Sequence, residues 1–181
     1  MRKAQQMLLD MIKSNGEVNG EVVKVDRVMN HMVDTKTMKA IGEDIAEKFA
    51  NVKIDKILTV EASGIPPAQS AAFRMGVDYI YAKKKMPITM KGYFSAESFS
   101  FTKNENTTLY VSKEVLGEGD KVLFVDDFYA KGNTYKAIKN IIEEAGAELV
   151  GCAVIIDKMD NEDIHSILTL KQIVSAMGED A

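Results

Sequence analysis

The sequence contains one cysteine, Cys152, no tryptophan and three prolines among its 181 residues. A single cysteine excludes an internal disulfide framework and a metal site built from several thiolates. Scarce cysteine also suits a reducing, cytoplasmic compartment. Flanked by Val150, Gly151 and the run Ala153 to Ile156, Cys152 reads as a buried strand residue. Basic charge is not in excess: 23 Lys and Arg stand against 27 Asp and Glu, for a formal charge of −4. The chain therefore lacks the general electrostatic footprint of a nucleic-acid binder. No apolar stretch approaches the roughly 20 residues of a membrane span. The first residues form a polar amphipathic run rather than a signal peptide, so no membrane partner is expected. No repeat or low-complexity segment stands out. With 46% hydrophobic and 28% charged residues, the composition is that of an ordinary globular protein, and residues 1–181 are expected to form a single domain with a substantial core.

The most informative stretch is Lys121 to Thr134, KVLFVDDFYAKGNT. Val122 to Val125 read as a buried strand, with Asp126 and Asp127 where that strand emerges from a sheet. A small-residue turn, Ala130 to Thr134, leads into a helix whose apolar positions are Ile138, Ile141, Ile142 and Ala145. Gly132 lets backbone N–H groups converge, Thr134 adds a hydroxyl, and the helix N-terminus adds positive potential. A phosphate monoester fits such a turn. The same strand, acidic pair and turn also occur in Rossmann-like and receiver-like domains.

VLFVDDFYAKGNT resembles the phosphoribosyl diphosphate (PRPP) signature of type I phosphoribosyltransferases. The resemblance implies that Asp126 and Asp127 accept hydrogen bonds from the ribose hydroxyls and that Ala130, Lys131, Gly132, Asn133 and Thr134 hold the 5′-phosphate. Chemically, ionised carboxylates accept from vicinal hydroxyls and an N–H-lined loop binds a dianion. VEASGIPPA, at the end of an expected strand Ile54 to Val60, is similar to the family's diphosphate loop. It implies diphosphate contacts from Ala62, Ser63 and Gly64, with Gly64 permitting close backbone approach. Glu61 then becomes a candidate for contact with magnesium through water; as an ordinary residue it would be a dipole partner of the following helix. After a strand Tyr79 to Ala82 come Lys83, Lys84 and Lys85, by composition a solvated basic run. The family places a cationic pair there, close to the diphosphate, which implies that role for Lys83 and Lys84.

Further matches are shorter. VDRVMNHMVD is similar to the entrance of bacterial xanthine phosphoribosyltransferases, implying base contacts from Asn30 and packing from Val23; otherwise Asn30 and His31 form a polar turn. Phe128 joins the implied base pocket. Lys158, after a strand Leu149 to Ile156 and Asp157, matches a lysine that contacts the exocyclic oxygen of a 6-oxopurine; otherwise it is a surface lysine. Alternation from Tyr93 to Phe101 and from Thr108 to Val111 predicts a hairpin. Its SFSFTK and VSK fragments resemble the family's mobile hood, implying a lid with Lys103 near the diphosphate as a catalytic residue beside Asp126 and Asp127. One departure stands out: only MDNEDIHS separates Lys158 from the ILTL strand, where the family carries a longer basic segment and a helix.

The resemblance implies a parallel α/β sheet with helices on both faces, the type I phosphoribosyltransferase fold, plus a small hood and a flexible hairpin lid. It implies transfer of 5-phosphoribosyl from PRPP, with Mg2+ bound through that substrate, to N9 of a purine base, xanthine first, in purine salvage by a homodimer. The alternatives are a non-catalytic PRPP- or nucleotide-sensing regulator and a phosphoribosyltransferase for adenine or another base. The regulator ranks second because no winged-helix segment precedes the motif.

Overall fold

The computed structural model describes residues 1–15, 18–19, 22–23, 31–100 and 105–178, with backbone alone for 15, 18, 19, 22, 23, 100 and 105. Asn30 and Lys103 lie outside the described residues, as does the side chain of Val23. A five-stranded parallel sheet forms the centre, in the order β4 (Asp78–Ala82), β3 (Lys56–Val60), β7 (Lys121–Tyr129), β8 (Glu148–Asp157), β9 (His165–Thr169). Buried on both faces, its strands are near-continuous apolar runs, as parallel sheets require.

Helices cover both faces. On one side lie α1 (Lys3–Asn15), α2 (Thr35–Lys48), α3 (Ile65–Met75) and α5 (Leu170–Met177), whose Leu8, Ile12, Ile41, Ile45, Ala71 and Ile173 pack on Ile57, Leu123, Val125 and Ile155. On the other lies α4 (Asn133–Glu144), burying Ala137, Ile138, Ile141 and Ile142 against Leu58, Val122, Phe124 and Val154. An antiparallel hairpin, β5 (Tyr93–Ser100) and β6 (Glu105–Ser112), covers the rest of that face through Phe94, Leu109 and Val111. A short antiparallel pair, β1 (Val18–Asn19) and β2 (Val22–Val23), follows α1.

The topology creates the crevice. From β3 the chain runs through α3 to β4 at one sheet edge; from β7 it runs through α4 to β8 on the other side. The two crossovers leave in opposite directions, which is the switch point where such sheets bind ligands. The strands also part there. Pairing of β3 with β7 ends at Leu58 and Phe124, whereas β3 stays paired with β4 to Val60 and β7 with β8 to Tyr129.

Three differences from the sequence expectation have physical causes. β7 does not release the acidic pair at its end: it continues to Tyr129 because Asp126, Phe128 and Tyr129 stay in register with Val154, Ile156 and Asp157. The ILTL strand begins two residues early, at His165, and leads into α5, held by a Thr169/Gln172 capping box with Gly178 in the left-handed conformation at its end. Finally, residues 158–164 join two adjacent parallel strands, a connection that ordinarily takes a dozen residues or more. The short route works because β9 pairs only with the C-terminal half of β8, His165 lying opposite Ala153, and Ile164 is buried on the α4 face.

Candidate active site

Two helices begin at the crevice, each behind a glycine and neither with a side-chain cap. Gly64 is the N-cap of α3 and Gly132 that of α4. By contrast α2 is capped by Asp34 Oδ1, which accepts from Thr37 N at 2.8 Å. Uncapped helix ends present N–H donors and positive potential to an anion. Gly132 takes φ +75°, and a Cβ there would lie 2.7 Å from Tyr129 Oη. The loop Ala130 to Thr134 thus turns sharply over the Tyr129 ring, and Asn133 Nδ2 donates to Phe99 O at 3.0 Å, tying it to β5.

Gly64 is a close-approach glycine. A Cβ at this position would strike both Thr59 Oγ1 and Asp126 Oδ1. The VEASG turn is therefore seated directly on the carboxylate of β7, joining the two sequence motifs. The Glu61–Ala62 peptide of this turn is cis.

The acidic pair is asymmetric. Asp126 is buried, 7% exposed, and its Oδ1 accepts from Asp127 N at 3.1 Å. Burial, with the charge of Asp127 as a second cause, holds its carboxyl well above the usual carboxylate range, while Lys84 pulls the other way. Asp127 is half-buried, with Oδ1 accepting from Phe128 N at 2.9 Å.

Glu61 makes contacts that sequence alone did not anticipate. Its Oε1 accepts from Lys84 N at 2.6 Å and its Oε2 lies 3.6 Å from Lys83 Nζ. Lys83 also extends β4 by bridging Tyr110 of β6 and sets its ammonium 4.6 Å from the Tyr81 ring centroid. Glu61 thus clasps the basic run to the VEASG turn, with the Lys84 side chain left exposed beside it.

On the far side of β7, Lys158 Nζ stands 5.1 Å from the centroid of Phe128, and Lys158 N donates to Tyr129 O at 2.8 Å. The two described base-pocket candidates are therefore brought together. Asp157, 1% exposed, shapes the turn beyond: Oδ1 accepts from Met159 N at 2.8 Å and Oδ2 from Asn161 N at 2.6 Å. Asn161 Nδ2 in turn donates to Tyr129 Oη at 3.3 Å. Asp157, Asn161 and Tyr129 were missed in the sequence, although an acid ahead of a DN dipeptide is a turn signal that could have found the first two.

A sheet switch point flanked by an uncapped phosphate-sized turn, an acidic pair and a second glycine turn defines a nucleotide-type α/β site. Residues 29–174 match the family model described as a phosphoribosyl transferase domain. The chain is 41% identical over 155 residues to the xanthine phosphoribosyltransferase of Staphylococcus carnosus (84% of this chain, 81% of the relative). It is 44% identical over 155 residues to that of Streptococcus pyogenes serotype M49 (84% and 80%). The chain belongs to the phosphoribosyltransferase family. Among solved structures it superposes on adenine phosphoribosyltransferases from Thermoanaerobacter pseudethanolicus (TM-score 0.71, 22% identity, 90% of this chain and 99% of that one) and Rhodothermus marinus (0.73, 20%, 91% and 99%). At that identity the likeness establishes the parallel-sheet fold. Among the described residues, no helix is long and apolar enough to cross a membrane.

Proposed function

We propose that this protein transfers the 5-phosphoribosyl group from PRPP to N9 of a purine, with xanthine the preferred base, and releases diphosphate in purine salvage. The observation that carries this reading is the meeting of Gly64 and Asp126: the diphosphate-loop candidate rests on the ribose-binding candidate in the crevice between β3 and β7. The preference for xanthine rests on the similarity to bacterial xanthine phosphoribosyltransferases.

In this reading the 5′-phosphate lies on the N–H groups of Ala130 to Thr134 at the start of α4. Asp126 and Asp127 accept from the ribose hydroxyls, and the diphosphate lies over Ala62, Ser63 and Gly64 within reach of Lys83 and Lys84. Charge builds on the diphosphate as its bond to ribose breaks, so these cations favour the transition state over bound substrate. The rate comes from positioning and charge stabilisation, with no covalent nucleophile. Phe128 offers a flat apolar surface to the base, and Lys158 donates to its exocyclic oxygen. Val23 and Asn30 complete the base pocket and Lys103 approaches the diphosphate, with β5 and β6 as the lid that excludes water.

Magnesium enters as part of the PRPP substrate. Glu61 Oε2 retains acceptor capacity for a metal-bound water. A single domain over residues 1–181, a homodimer and a cytoplasmic setting belong to the same proposal.

The test is diphosphate release from PRPP and magnesium with xanthine, hypoxanthine, guanine, adenine or no base. Turnover with xanthine above all others is expected. PRPP binding without turnover on any base would replace the enzyme with a sensor.

A further inference from the structure

Among the described residues, one buried side-chain oxygen has no hydrogen-bond partner: Thr59 Oγ1. The residue is 0% exposed. A hydroxyl carries one donor and two acceptor sites, and leaving all of them unused in the interior is destabilising. Such a group calls for an explanation from its surroundings.

Those surroundings are the crevice. Thr59 stands one residue beyond Leu58, where β3 stops pairing with β7. Its hydroxyl and Asp126 Oδ1 both crowd the position that a Cβ of Gly64 would take. With glycine at 64, no side chain stands at the point that both oxygens approach. Asp126 is short of donors: in the structure its carboxylate accepts from Asp127 N. An ionised carboxylate at this depth therefore has unused lone pairs beside a hydroxyl with an unused proton.

We propose that Thr59 is a positioning residue whose Oγ1–H donates to the Asp126 carboxylate when that carboxylate ionises, holding it in the state that accepts from a ribose hydroxyl. The functional consequence rests on the phosphoribosyl transfer proposed above; the hydrogen bond itself does not. Other charged and titratable groups bear on Asp126. Asp127, next on β7, opposes its ionisation and Lys84, after β4, favours it. Cys152 on β8 stays a thiol, its pKa raised chiefly by burial and secondarily by Asp126. Tyr135, on α4, feels Cys152 and stays a phenol, again chiefly through burial. Oδ1 accepts from Asp127 N and keeps a second lone pair for the Thr59 hydroxyl.

Thr59→Val is the decisive variant because it keeps the shape and removes the oxygen, and Thr59→Ser restores the donor. If the hydroxyl were merely an unsatisfied oxygen, Thr59→Val would leave all ionisation behaviour unchanged and raise the melting temperature. The proposal expects the acid limb of kcat/KM for PRPP to move up by about one pH unit in Thr59→Val, with about tenfold lower activity on the acid side of that limb, and recovery in Thr59→Ser. An unmoved limb overturns it. Titration of the Asp126 carboxyl by 13C NMR in the ligand-free protein separates this from the enzyme reading. A midpoint raised in Thr59→Val supports the hydrogen bond even if the wild-type protein turns over no base. An unmoved midpoint in Thr59→Val refutes it even if turnover with xanthine is brisk.

Discussion

The helices of this protein start in two ways, and the difference separates scaffold from site. α2 and α5 begin at Asp34 and Thr169, each of which satisfies a backbone N–H with its own side chain. α3 and α4 begin at Gly64 and Gly132, with no side-chain cap at either. A capped helix end is complete in itself, whereas a glycine end leaves donors for something else and admits a second chain segment against its Cα. At Gly64 the neighbours are Thr59 of β3 and Asp126 of β7; at Gly132 the neighbour is the Tyr129 ring. Local stability has been given up at the two ends that face the crevice.

The largest expected effect tests the site side of this contrast. Asp126→Asn should lower kcat/KM for PRPP by about a thousandfold, since it removes the negative charge and replaces one acceptor oxygen by a donor at the reacting sugar. It should also stabilise the fold at neutral pH. With its pKa raised in the folded state, Asp126 holds more proton there than in the unfolded chain, so stability falls as pH rises through the interval between the ordinary and the raised value. Denaturant melts across pH should show the gain from Asn above that interval and none below it. A variant that lost activity and stability together would contradict this account.

Next in size is Gly132→Ala. The left-handed backbone costs an L-residue about 1–2 kcal/mol, and the new Cβ would press on Tyr129 Oη. The KM for PRPP should rise by about tenfold or more with the KM for the base little changed. Lys158→Met, which keeps the stem over Phe128 and removes the charge, should show the reverse split, with about a tenfold higher KM for xanthine and an unaltered KM for PRPP. The smallest effect belongs to the scaffold. Asp34→Ala should cost about 1 kcal/mol of unfolding free energy and leave kcat/KM for PRPP unchanged. If it instead impaired PRPP use, the division between capped scaffold and uncapped site would fail.

Legibility followed the range of the interactions. Helix α2 is a local pattern of this kind: the Asp34 cap and the Met38, Ile41, Ile45 spacing act within a few turns of one helix. The strand, acidic pair and turn of β7 and α4 were readable for the same reason. α5 was not anticipated, although Thr169 and Gln172 form a capping box, because the strand and helix share the run ILTLKQI without a break. The Glu61 clasp was hidden in another way: a carboxylate does not announce that its acceptor will meet Lys84 N, a backbone donor 23 residues away.

The strand-turn-helix units, the glycines at their turns and the chemical kinds of side chain delivered there are local properties of the chain, since periodicity and turn chemistry act over a few residues. The parting of β3 and β7 beyond Leu58 and Phe124, the seating of Gly64 against Asp126 and the placing of Lys158 over Phe128 came from long-range packing. Those relations depend on strand order and on the opposite directions of the α3 and α4 crossovers. No local pattern encodes them, because they arise from burying both faces of one sheet at once.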